Sequence, residues 1–344
     1  MIALLTIVSS CNENAGSSND NTVSDNDSTI IAEPAEEKDS TLLAMALTPT
    51  LDHLPFYAAD HFGIYDSLGL NIELQTRYSD IDCDTLLSED VVDIITSDIV
   101  RAIAMRTGNK PVKAVASTSL RLHILSASES GITNMSQLNE KVFAVTRHSA
   151  IDYFTDKMLE SNSLQPKSLN KPQINDMRTR AQMLNRNQYD GSILPQPYAA
   201  YSQCLGAHSI ENTDNHNINL SVLLSKDSII ARRHDDIGKL IQAYNIASAR
   251  LNSMYGTPAK GNDSKTSTVA TKEMLKLLPA GIQCPDSVRL EAHFPQASNL
   301  AVLTFKSALK WFEDQRLVPK DQPRRIDIEY TDLIDTTFCN NAKQ

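Results

Sequence analysis

The sequence predicts an α/β fold made of two α/β repeats in series, followed by a helical C-terminal third. Three observations carry this. Short apolar runs alternate with segments of helical periodicity from residue 41 onward. The alternation stops near residue 120 and then restarts. From residue 236 the pattern is mostly helical. Strands alternating with helices argue for a sheet with helices on both faces.

The first repeat opens at 42–47, a continuous apolar run that fits a strand buried in a parallel sheet. Phe56, Tyr57, Ala59 and Phe62 recur at helical spacing, which predicts a helix over 56–65, with Gly63 marking its end. Residues 70–74 alternate like a second strand, 85–87 read as a short helix and 91–95 as a third strand. A helix over 99–106 stops near Gly108, and 112–116 is a fourth strand. The second repeat begins with a strand at 122–125 and a capped short helix at 133–139. A strand at 142–145 and a helix from Ser149 to about 159 follow. A helix over 178–187, a strand at 192–194 and a helix over 197–204 come next, then a returning strand at 220–224. Helices are predicted over 236–255, 268–278, 286–292 and 297–316.

The N-terminal region reads differently. Residues 1–8 are a short apolar run, too short to span a bilayer. Val8-Ser9-Ser10-Cys11 has the pattern of a bacterial lipobox, in which the Cys thiol is acylated and the preceding peptide is removed. No Lys or Arg precedes the apolar run, which a late start codon would explain; a frayed terminus with a chance Cys is the alternative. Residues 12–40 are dominated by Asn, Asp, Ser, Glu and Ala and cannot bury enough apolar surface to order themselves. They read as a tether with a coil dimension of roughly 30 Å. The expected division is a signal segment 1–10, a tether 11–40, a lobe from 41–119 plus 231–344, and a second lobe from 120–230.

Composition narrows the function. A net charge of −10, with no basic cluster beyond Arg232-Arg233 and Arg324-Arg325, argues against nucleic acid. Cys83, Cys204, Cys284 and Cys339 form no C-x-x-C pair, so a zinc or thioredoxin-like site is unsupported. An oxidising compartment would permit disulfides, with three possible pairings, or the thiols stay free. No hydrolase elbow, zinc-protease motif or phosphate loop is present, so neither a catalytic set nor a cofactor is expected.

The run LTPTLDHLPFYAADHFGIYDSLGLNIEL, residues 47–74, resembles the opening of periplasmic solute-binding proteins of ABC importers. The branch it is similar to serves nitrate, sulfonates, taurine and thiamine-pyrimidine precursors, the NMT1/THI5-like group. The resemblance rests on His53, Pro55, Tyr57, Ala58, Gly63-Ile64-Tyr65 and Gly69-Leu70. It continues in LSEDVVDIITSD, residues 87–98, where Glu89 or Asp90 replaces a usual Gly. It extends through DGSILPQPY, residues 190–198, to Gly206-Ala207 and the tail from Leu317 to Asp335. The resemblance implies a type II periplasmic-binding fold, two α/β lobes around a ligand cleft with a two-stranded hinge. It also implies a small-molecule solute and partner permease and ATPase subunits. With the lipobox, it implies a monomeric protein anchored by Cys11 on the periplasmic side of the envelope. Enzymes on the same fold, a chorismate-dehydratase-like lyase or a thiamine-pyrimidine synthase, are the alternative, as is a non-transport surface or sensory lipoprotein.

The resemblance and the strand ends place candidate binding residues. Asp52, His53 and Tyr57 follow the first strand; the ring of Tyr57 can stack on a planar solute or simply fill the core. Ser97 follows the third strand at its carboxyl end, with Asp98 read as a helix N-cap. Thr118 is a hydrogen bonder or a hinge residue. Arg147, His148 and Ser149 form the matching turn of the second repeat, which in anion-binding relatives holds the charged group; Arg147 can offer a bidentate contact or stay a solvated rim residue. Gln196 stands where Glu or Pro is frequent and suits a cationic amine less than Glu would.

Overall fold

Two β-sheets flanked by helices form the chain in a computed structural model, which describes residues 41–255, 273–282, 290, 293–315, 317 and 326–340. The signal segment, Cys11, the tether and most of the helix expected over 286–292 lie outside the described residues. In the first sheet, β1 (Leu43–Leu47) pairs in parallel with β2 (Ile72–Thr76) and β3 (Ile94–Asp98). All of β1 is buried, as its unbroken apolar sequence requires. After β4 (Val112–Ala116) the chain crosses to a second sheet. There β5 (Leu122–Ser126) pairs antiparallel with β7 (Gly191–Pro195) and β8 (His208–Asn212), and the short β6 (Phe143–Ala144) pairs in parallel with β7. The chain returns as β9 (Ser221–Lys226), which lies antiparallel between β3 and β4. The orders are β2-β1-β3-β9-β4 and β6-β7-β5-β8.

Two features differ from the expectation. β9 pairs in the first sheet, so the return crossover comes before Ser221, ahead of the boundary drawn at 230. β8 had no strand signal, because HSIEN carries one apolar residue and lies at a sheet edge.

The helices follow their caps. The helix expected over 56–65 splits into α1 (Leu54–His61) and α2 (Ile64–Ser67), because Gly63 takes a φ of 64° between them. Ser79, Asp98 and Ser149 cap α3 (Asp80–Ser88), α4 (Ile99–Thr107) and α5 (Ala150–Ser161) through their side chains. Asp176 does the same for α6 (Met177–Asn185), and α7 (Tyr198–Cys204) follows β7. After α8 (Asp227–Arg232), the long α9 (His234–Tyr255) packs against α1. The helix expected over 297–316 is α10 (Val302–Asp314), preceded by non-helical chain. The described residues end with α11 (Tyr330–Leu333) and α12 (Thr337–Asn340). Cys83, Cys204 and Cys339 are free thiols, and Cys284 lies outside the described residues.

Candidate functional site

The two crossovers lie side by side and are tied by hydroxyl and amide groups. Ser117 Oγ donates to the carbonyl of Ser221 at 2.8 Å, and Thr118 Oγ1 pairs with Ser221 Oγ at 2.8 Å. Asn219 Nδ2 donates to Ser117 Oγ at 3.2 Å and to the carbonyl of Thr118. Thr118 is therefore buried in the crossover, bonded to the returning chain.

Beside these crossovers, the ends of β1, β3 and β7 meet the N-termini of α4 and α5 around a cavity of ≈20 Å³. Thr50, Asp80 and Asp98 line it from the first sheet's side; Ala150, Arg180 and Pro195 line it from the second's. Such a volume holds about one water, so a solute needs the two sheets to part. Asp98 Oδ1 accepts from the N–H groups of Val100 and Arg101 at 2.9 and 3.0 Å. Ala150, first residue of α5, lines the cavity with the same carboxylate. Burial nonetheless pushes the Asp98 carboxyl up to about 7, and the neighbouring Asp80 charge adds to this. Asp80 is pushed up to about 6, by burial first and by Asp84 and Asp82 after it. Arg180 is 1% exposed. Its Nε donates to the Ile193 carbonyl at 3.1 Å, and its Nη1 to the Ile174 carbonyl at 2.7 Å and Thr146 Oγ1 at 2.9 Å.

None of the nine residues named from the sequence lines this cavity, but the turns are the same ones. Thr50 lies two residues before Asp52, and Asp98, Ala150 and Pro195 adjoin Ser97, Ser149 and Gln196. Asp52 is fully buried and holds Arg121, through its N–H and its Nε, at 2.7 Å each. Burial opposes the Asp52 charge, but Arg121 outweighs it and holds the carboxyl below its ordinary range. His53 Nδ1 lies 2.9 Å from the Thr48 carbonyl. A carbonyl only accepts, so the neutral ring carries its proton on Nδ1; burial lowers the His53 pKa. Tyr57 is buried and pairs its hydroxyl with Thr76 Oγ1 at 3.1 Å. Ser97 Oγ donates to Asp84 Oδ1 at 3.2 Å. Ser149 caps α5, and Gln196 accepts from the Ala200 N–H at 3.0 Å while its Nε2 meets His123 Nε2 at 3.2 Å. Arg147 and His148 face elsewhere: with Arg101 and Lys110 they line an open groove of ≈370 Å³ outside the cavity. Among the described residues no group of His, Cys, Asp or Glu could hold a metal ion.

Arg180 and Asp80 had no sequence signal. Arg180 sits on a polar helix whose face cannot be told from its pattern, and Asp80 lies one residue past a cap.

Two α/β lobes joined by a double crossover, with a cleft at the strand ends, define a periplasmic-binding-protein fold. The chain belongs to the NMT1/THI5-like family, whose profile matches residues 50–251. Solved structures share the fold. The alkanesulfonate-binding protein SsuA of Xanthomonas axonopodis pv. citri, bound to MOPS, is 16% identical, over 84% of this chain and 96% of that one, with a TM-score of 0.65. A ligand-binding component of an ABC-type import system from Staphylococcus aureus, with zinc bound, is 13% identical over 88% and 99%, with a TM-score of 0.67. The nitrate-binding protein NrtA of Synechocystis PCC 6803 is 12% identical over 83% and 84%, with a TM-score of 0.64. No curated protein matches the chain in sequence.

Proposed function

We propose that this chain is the solute-binding subunit of an ABC importer, anchored to the envelope by an acylated Cys11 and closing on a small polar or heteroaromatic solute. The observation that carries this is the cavity between the strand ends of two sheets joined by two adjacent crossovers. Ligands of open α/β sheets sit at the carboxyl ends of strands, and lobes on such a hinge capture by closure. The lobes are residues 41–119 with the chain from Ser221 onward, and residues 120–220. In the open form, the turns that carry Asp52, His53, Tyr57, Ser97, Thr118, Arg147, His148, Ser149 and Gln196 flank the cleft. The closed, monomeric protein then docks on a permease that works with an ATPase, and performs no chemistry itself. Among the described residues no helix is long and apolar enough to cross a membrane.

A thermal-shift panel of thiamine precursors, sulfonates, nitrate and flavin-like compounds tests the binding role. A true solute at a hundredfold excess over its Kd stabilises by about 2.7 kcal/mol. No response to any polar solute class would sink the reading, and turnover of the bound compound would make the protein an enzyme. Separately, Cys11→Ser should move the protein from the membrane to the soluble envelope fraction. An unacylated wild-type protein in the cytoplasm would overturn the anchor.

A further inference from the structure

We infer that the cavity between the sheets recognises a cationic, hydrogen-bond-donating nitrogen, a protonated amine or an amidinium, and does not take a sulfonate or nitrate. This deepens the solute-binding reading and rests on it. Helix N-termini attract anions through their free N–H groups. The helices α3, α4, α5 and α6 all start at this cavity, and at α4 a carboxylate of the chain itself already takes the free N–H groups. Asp98 takes the N–H groups of Val100 and Arg101. An incoming anion meets the engaged donors of α4 and a like charge beside them.

Two further groups lack a partner, and both can accept a hydrogen bond. The Asp80 carboxylate lines the same cavity and makes no hydrogen bond or ion pair with any described residue. Thr50, 1% exposed, also lines it, and its Oγ1 has no hydrogen-bond partner among the described residues. A buried polar atom without a partner costs free energy that a bound group recovers. The charge inventory has the same sign. Two lining carboxylates face one lining guanidinium, Arg180, whose Nε and Nη1 donors go to Ile193, Ile174 and Thr146. Behind them, Arg101 is paired with Asp84. A cation with several N–H donors balances the cavity charge and serves Asp80 and Thr50 together.

Calorimetry at pH 8 on the full chain tests this with four probes. Benzamidine and benzylamine are the cations; benzenesulfonate and nitrate are the anions. One or both cations should bind at millimolar concentration or below, and neither anion should. Asp80→Asn breaks no hydrogen bond of the described fold and should weaken cation binding by about tenfold or more. Thr50→Val, nearly the same shape, should weaken it severalfold and serves if Asp80→Asn does not fold. Cation binding unchanged in a folded Asp80→Asn or Thr50→Val protein overturns the placement. Binding of benzenesulfonate or nitrate overturns the inference and leaves the solute-binding reading standing. Binding of none of the four also overturns it, and the solute-binding reading then depends on the broader thermal-shift panel alone.

Discussion

Asp52 and Arg121 show how a residue with binding chemistry becomes a structural one. The carboxylate sits on the turn after β1, and Arg121 sits on the crossover that leads into β5. Their ion pair joins the first sheet's site turn to the hinge. Arg121→Ala leaves the Asp52 charge buried without its guanidinium, and should cost about 3–5 kcal/mol of stability. Urea unfolding measures it; a loss under 1 kcal/mol, about the value of an exposed pair, would mean that the pair is not buried as described. Asp80 and Asp98 act in the opposite sense. Their folded pKa values, about 6 and about 7, lie above the ordinary 3.8. Their contribution to stability is therefore complete below 3.8 and is lost as pH rises through 6 to 7, at up to about 1.4 kcal/mol per pH unit for each group. Asp84, Asp82, Arg101 and Arg180 share this field, so the two do not titrate independently. Unfolding free energy between pH 4 and pH 8 should decline, and Asp80→Asn should flatten the decline; a profile unchanged by that substitution would refute the assignment. The sequence made the turns of the site legible, since strand ends carry ligands. It did not tell which of two adjacent polar side chains points inward, because a step of one residue reverses the face. Asp98 read as a cap and is one, yet the same carboxylate also lines the cavity with the start of α5, a placement that no local pattern encodes.

At the scale of elements, local chemistry fixed what was legible. Ser79, Asp98 and Ser149 start helices because their side-chain oxygens take N–H groups of the first turn. β1 was legible because burial on both faces demands unbroken apolar sequence, whereas β3 was caught only at Ile94 and Ile95, since Thr96, Ser97 and Asp98 are buried but polar. β8 was not, because an edge strand with exposed residues needs no such run. The placement of β9 was also hidden, since the antiparallel insertion between β3 and β4 depends on the whole topology. Gly191 shows how tightly the second sheet is fitted. A Cβ there would lie 2.8 Å from the Leu125 carbonyl oxygen and 2.9 Å from the Phe143 ring. The first is backbone of β5 and the second belongs to β6, so neither is a flexible tip. Gly191→Ala should destabilise by about 1–3 kcal/mol, as overpacking does. Thermal unfolding checks it; a variant as stable as the wild type would show that the β5-β7-β6 seam is looser than described.

For the whole molecule, the question is what holds the cleft shut. In the proposed capture by closure, contacts between the lobes oppose opening. The N–H of Met177 donates to the Tyr78 carbonyl at 3.0 Å, and that of Leu51 to the Gln196 carbonyl at 2.8 Å. The Arg178 guanidinium lies 3.3 Å from the Tyr78 ring centroid. Tyr78 also donates its hydroxyl to the Pro279 carbonyl at 2.8 Å. On the other side, Trp311 Nε1 on α10 donates to Asp156 Oδ2 on α5 at 3.0 Å. Tyr78→Ala removes the ring and the hydroxyl but keeps the backbone bond. A cation–π contact is worth about 0.5–2 kcal/mol, so the closed form should lose a factor of about 2 to 30 in population. A solute that binds the closed form pays that factor in affinity. Small-angle scattering should then show a larger radius of gyration for the free variant than for the free wild type. Saturating solute should bring the two together. Identical scattering from both proteins, with and without solute, would mean that Tyr78 and Arg178 do not hold the lobes closed.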